Sequence, residues 1–239
     1  MTDKPGLLTN FYDTVIPYNP DYGDPFAAKL RLNLYTPFEE TLYIDADSLI
    51  MHNFDSYWET LKGRSFVYEG TLLSEGEWYF DIEKIRRQLS LPWIPKFNSG
   101  MFLFKNGEMA KAVFDTAFDY LMRQKEKNLG IDFFRGTMFP DEPFLAIALA
   151  QLGIEPAEDH GRFSRTLIGA ENIRVNVVKG FALFTKNGRK VFPLIVHFCG
   201  RFGRFLLFWE SLKLRLYFNP PIFTFVMNGL SLLRKLLKK

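Results

Sequence analysis

Short apolar runs bounded by turn formers alternate with longer stretches of helical period along this chain. Residues 1–25 carry Pro5, Gly6, Asn10, Pro17, Asn19, Pro20, Gly23 and Pro25, and read as a looped entry. A helical pattern follows from Phe26 to Tyr35, and Thr36-Pro37 ends it, because a residue before proline avoids the helical region. Thr41–Ile44 predicts a compact strand that runs straight into Asp45-Ala46-Asp47. Phe54–Lys62 predicts a short helix, Phe66–Tyr68 a strand ending at Glu69-Gly70, and Asp81–Leu89 a helix with a basic face. Gly100–Phe104 predicts a third strand. Val113, Phe114, Ala117, Phe118 and Leu121 recur at helical spacing, which predicts a long amphipathic helix over 108–127. Pro140-Asp141-Glu142-Pro143 opens a further helix through Leu152, with proline and acids in the first turn. Ile173–Val178 and Val191–Phe198 predict late strands. Strands alternating with helices imply an α/β fold with a mostly parallel sheet flanked by helices.

Composition narrows the chemistry. The 239 residues suffice for a sizeable core, and 47% hydrophobic with 24% charged is ordinary for a folded protein. Cys199 is the single cysteine, so an internal disulfide and a thiolate zinc site are both excluded. The imidazoles are His52, His160 and His197, so any metal centre must be mostly carboxylate. The net charge of +3 is unevenly spread. Residues 205–239 hold six basic residues against Glu210, which leaves the preceding stretch slightly acidic. An acidic body lacks the basic face that nucleic acid requires. Neither a signal-peptide core nor an apolar run of membrane-spanning length is visible, and the expected compartment is the cytoplasm.

Four polar clusters carry the chemistry. Asp45 and Asp47 follow an apolar strand, where two carboxylates can share one hard divalent cation, or else form a solvated turn. Asn98-Ser99-Gly100 precedes a strand; amide and hydroxyl can read a ligand's hydroxyls and glycine lets it approach the backbone, or the three simply turn the chain. Asp141-Glu142 opens a helix, where acids either cap the helix or face a sugar hydroxyl. His197 is followed by Gly200, Arg201 and Arg204, a set suited to phosphate oxygens, although a lone histidine on a strand is ordinarily just packed.

In this order the clusters resemble glycosyltransferase family 8, the family of glycogenin and the bacterial lipopolysaccharide sugar transferases. Ala28-Lys29-Leu30…Tyr43-Ile44-Asp45-Ala46-Asp47 is similar to the family's lysine-to-carboxylate stretch, Phe97–Phe104 to its Asn-Ser-Gly strand, and His197-Phe198-Cys199-Gly200 to its His-x-x-Gly segment. Asp141-Glu142 stands where the family has Asp-Gln. The resemblance covers Phe26 to Gly203 and implies a GT-A fold, a nucleotide-diphosphate sugar donor (UDP-linked), Mn²⁺ or Mg²⁺, and hexose transfer with retention. It implies that Asp45, Asp47 and His197 hold the metal, that Lys29, Asn98, Ser99 and Gly100 contact the donor sugar, and that Asp141 and Glu142 lie at the reacting centre. Gly200, Arg201 and Arg204 would bind the donor's phosphates. Three departures stand out. The family's diphosphate-binding lysine falls on Gly203, with Arg201 or Arg204 as the expected substitute. A charged Glu142 replaces a glutamine. The family's base-binding strand-helix unit, expected ahead of Lys29, has only residues 1–28 available.

Residues 205–239 predict basic amphipathic helices broken at Asn219-Pro220-Pro221. The run Ile222–Leu233 contains Asn228 and is too short to span a bilayer, so the expected role is a peripheral contact with the inner face of the membrane. The chain thus divides into a transferase region, 1–204, and a membrane-associating tail, 205–239, acting on a glycan or lipid-linked acceptor. Two rivals are a degenerate membrane-associated scaffold and a haloacid-dehalogenase-type phosphatase. The latter also has Asp-x-Asp after a strand, but requires Thr or Val where Leu49 stands.

Overall fold

A computed structural model describes residues 12–131, 139–157 and 162–218, together with Gly6. In chain order its elements are α1 (Pro25–Lys29), α2 (Leu32–Tyr35), β1 (Glu40–Ile44), β2 (Ser48–Ile50), α3 (Asp55–Leu61), β3 (Phe66–Val67), β4 (Gly70–Leu73), α4 (Ile82–Gln88), β5 (Ile94–Phe97), β6 (Met101–Lys105), α5 (Glu108–Met122), α6 (Glu142–Gln151), β7 (Ser164–Thr166), β8 (Glu171–Asn176), β9 (Phe181–Lys186), β10 (Arg189–Val191), β11 (Ile195–His197) and α7 (Gly200–Phe218). The chain packs as two compact units, 1–43 with 61–158 and 44–60 with 159–239.

The first unit is built on aromatic packing. Phe66, Phe102, Phe104 and Phe114 are buried and in mutual stacked, tilted or edge-on contact, with Phe66 and Phe102 centroids 5.5 Å apart. Rings at such separations add about 0.5–1.5 kcal/mol per pair beyond their burial. They line the sheet β1-β6-β3, in which β3 runs antiparallel to β6. Residues 143–150 of α6 are buried all round, as expected for a central helix, and α6 packs against α5 and β5. The helix predicted over 26–35 is two pieces. Asp24 caps α1 by accepting from the Phe26 and Ala27 backbone N–H groups, and the chain leaves helical geometry around Leu30 and Arg31 before α2.

The second unit contains a three-stranded sheet, β2-β11-β7, and a meander, β8-β9-β10. Its core gathers Met51, Leu167, Ala182, Phe184, Val196 and Phe198, with Leu206 and Leu207 of α7 packed on it. Glu210 fixes α7 further. Its carboxylate accepts from the Val177 N–H at 2.8 Å and pairs with Lys213.

The expectation of a mostly parallel sheet is corrected here. The β7–β11 pair is parallel, whereas β2–β11, β3–β6, β4–β5, β8–β9 and β9–β10 are antiparallel. The connections explain it. Parallel neighbours need a long crossover, while β9 and β10 are joined by Asn187-Gly188, both left-handed at φ 50° and 72°, the geometry of a tight hairpin turn. The α/β class holds, as a set of small mixed sheets with helices. The strand predicted over 191–198 is interrupted at Pro193, so β10 and β11 belong to different sheets. No described helix is long and apolar enough to cross a membrane.

Candidate active site

In the second unit, pairing of β2 with β11 builds an acidic cluster. The chain turns at Asp45-Ala46-Asp47, where the Ser48 N–H donates to the Asp45 carbonyl at 3.1 Å. The next residues form β2, whose Ser48 is the antiparallel partner of His197. The Phe198 N–H then donates to the Asp47 carbonyl at 2.8 Å, tying the turn to the end of β11. This backbone register brings together side chains separated by most of the sequence. His197 Nε2 lies 2.9 Å from Asp47 Oδ1 and 3.7 Å from Asp45 Oδ2. One ligand atom from each of the three residues falls within 4.8 Å of the others.

The donor set fits a divalent cation. Two carboxylate oxygens and one imidazole nitrogen are a common donor set for a divalent ion, and three protein ligands leave coordination positions for a substrate. The burial fits as well: the His197 side chain is 6% exposed and fixed, while Asp47 is 39% exposed and reachable. The site residues predicted as metal ligands are therefore brought to one place.

In the first unit, a separate polar cluster joins three other predicted segments. Lys29, at the end of α1, sends Nζ to 3.1 Å from Asp141 Oδ2, 3.2 Å from Ser99 Oγ and 3.4 Å from the Ser99 carbonyl, all of them buried. The ammonium also lies 5.1 Å from the Tyr43 ring centre. Asp141 makes no side-chain capping hydrogen bond at the start of α6; its carboxylate faces the ammonium. The neighbouring Glu142 accepts from Asn98 Nδ2 at 2.6 Å and the Ser99 N–H at 3.2 Å through one oxygen, and from the Tyr79 hydroxyl at 2.8 Å through the other. Gly100 N–H donates to Asn98 Oδ1 at 3.2 Å and closes the turn.

Burial, then the adjacent Asp141 charge, pushes the Glu142 carboxyl above the usual range, against the hydrogen bonds from Tyr79 and Ser99 and the Lys29 charge. Burial and Glu142 push the Tyr79 hydroxyl up in turn. Tyr79 is a residue that sequence reasoning missed. It sits in Trp78-Tyr79-Phe80, which reads as core, and no spacing signal links it to Glu142.

No family model and no curated protein matches this chain. A solved structure does. The galactosyltransferase LgtC, in complex with donor and acceptor sugar analogues, is 17% identical, with a TM-score of 0.46 over 70% of this chain. The chain spans 61% of the length of that protein.

Gly200, Arg201 and Arg204 fall in the first turns of α7, and Gly200 has a left-handed φ of 81°. Both arginines are exposed, and Arg204 lines a shallow groove along α7 with Leu207, Phe208, Ser211, Leu212 and Arg215. A lysine cannot stand at Gly203. A Cβ built there would lie 2.4 Å from the Phe198 carbonyl oxygen, well inside contact distance.

Proposed function

We propose that this chain is a metal-dependent glycosyltransferase that moves a hexose from a nucleotide-diphosphate sugar, UDP-linked, to a glycan or lipid-linked acceptor with retention. The convergence of Asp45, Asp47 and His197 carries the reading, supported by the motif resemblance around it. A divalent cation held by these residues, Mn²⁺ or Mg²⁺, would neutralise the donor's diphosphate and assist departure of the nucleotide. His197, buried and fixed on β11, orients the set, and the more exposed Asp47 adjusts to the ligand.

Lys29, Asn98, Ser99 and Gly100 are assigned to the sugar's hydroxyls, and Asp141 to the neighbourhood of the reacting carbon. Glu142 is assigned a positioning task. Both its oxygens are taken by protein donors, so it sets the orientation of Asn98 and of the Ser99 backbone. Residues 1–204 carry the transfer chemistry in this reading, and 205–239 contact the cytoplasmic face of the membrane. Residues 219–239 lie outside the described residues, but α7 supplies an apolar surface: Phe202, Phe205, Phe208 and Trp209 are all exposed.

Calorimetry with Mn²⁺ and a panel of nucleotide sugars tests the reading. Mn²⁺ binding that Asp47→Asn abolishes, with nucleotide-sugar binding that depends on the metal, is the expected result. A well-folded chain that binds none of the donors overturns it in favour of a degenerate scaffold.

A further inference from the structure

The backbone around Gly203 excludes the lysine that the resemblance places there, since even a methyl group would meet the Phe198 carbonyl oxygen at 2.4 Å. A metal centre for a diphosphate still calls for a cation beside the ion, because two carboxylates offset most of the metal's own charge. Lys186, on β9 of the same unit, meets the requirement. Its Nζ donates to the Thr166 carbonyl at 2.9 Å and to Thr166 Oγ1 at 2.6 Å. An ammonium has three N–H donors, so one remains. Among the described residues Lys186 has no carboxylate partner. Burial, with Arg165 adding to it, pushes its pKa down against the opposing influence of Cys199. A half-buried cation without an anion is costly to keep and marks a place where an anion would be welcome.

The sheet register says where that place is. Thr166 on β7 is the parallel partner of His197 on β11, and Ser48 on β2 is its antiparallel partner. Partner residues on adjacent strands share a face, so Ser48, His197 and Thr166 form one row, at about 4.8 Å per strand. His197, one of the three metal-ligand candidates, stands in the middle of the row, and Lys186 Nζ is seated on Thr166 at one end. At the other end Ser48 Oγ is buried without a hydrogen-bond partner.

We propose that Lys186, seated on Thr166, is the diphosphate-binding cation of this metal centre. The ligand class is a phosphate or diphosphate anion held jointly by the metal and the ammonium. The inference rests on the metal-centre reading above, and the experiment separates the two. Mn²⁺ is titrated alone, then inorganic diphosphate is titrated with Mn²⁺ present, into the full chain and Lys186→Met. The expected result is unchanged Mn²⁺ affinity and about tenfold weaker diphosphate binding in the variant, as for loss of a charge-assisted bond. Lys186→Gln should show the same and serves if methionine disturbs the fold. Diphosphate affinity equal to that of the parent chain in a folded variant overturns the role of Lys186 while leaving the metal centre standing. Absence of Mn²⁺ binding in the parent chain overturns the metal centre and this inference together.

Discussion

Both oxygens of Glu142 are claimed by Asn98, Ser99 and Tyr79, and its pKa is nevertheless raised. The folded chain therefore holds this proton more tightly than the unfolded chain does. Stability contributed by the protonated form is complete below the ordinary glutamate value of 4.5 and is lost as pH rises through the higher folded pKa. Glu142→Gln keeps the shape and a carbonyl acceptor for Asn98 and Ser99, while Tyr79 can accept from the new amide. The variant should be more stable than the parent chain at pH 7 and equal to it near pH 4, as read by urea denaturation at the two pH values. A loss at pH 7 would show that the ionised form is the one the fold prefers. At this scale much of the chemistry was legible. Lys29, Ser99 and Asp141 are recognisable separately, because charged and turn-forming residues at element ends are conspicuous. Their mutual pairing is not, since nothing in local sequence encodes which distant segment a buried lysine will meet.

Among the elements, α7 is positioned by a close approach and a buried acid. Alanine for glycine inside a helix ordinarily stabilises by about 0.5–1 kcal/mol. At Gly203 the added carbon would strike backbone at 2.4 Å, so Gly203→Ala should destabilise by roughly 1–3 kcal/mol, measured by thermal unfolding. A rise in Tm would mean that Phe198 and α7 can separate without cost. The elements also show why strands were the harder part to read. Ser48–Ile50 has only three residues and gains its strand character from β11, not from its own pattern. The β9–β10 hairpin is a different case. Asn187-Gly188 between the apolar run 181–184 and Val191 is a strong local turn signal, so this hairpin is legible in the sequence itself.

For the molecule as a whole, the uneven charge gains a structural counterpart. On α7 Phe202, Phe205, Phe208 and Trp209 are exposed with Arg201, Arg204 and Arg215, while its acid, Glu210, is buried. Aromatic rings flanked by arginines suit an anionic lipid surface. Removing the helix would also strip Leu206 and Leu207 from the core, so surface substitutions in the full chain are the cleaner probe. Phe205→Ser with Phe208→Ser should weaken sedimentation with anionic vesicles by roughly tenfold or more. Unchanged sedimentation would assign that face to another partner. The α/β class was readable from alternation of elements, but the direction of strand pairing was not, because it is decided by connection length and by long-range register.

One topological fact has a consequence for how this protein comes into being. The second unit is discontinuous: its first piece, 44–60, is followed by the first unit's longer segment, 61–158, and only then by its remainder, 159–239. During synthesis Asp45 and Asp47 emerge before His197 and must wait for it while the whole of 61–158 is made. The pairing of β2 with β11 is thus a late, high-contact-order event. A cation that needs all three ligands would recognise only the finished unit, and would stabilise it by mass action.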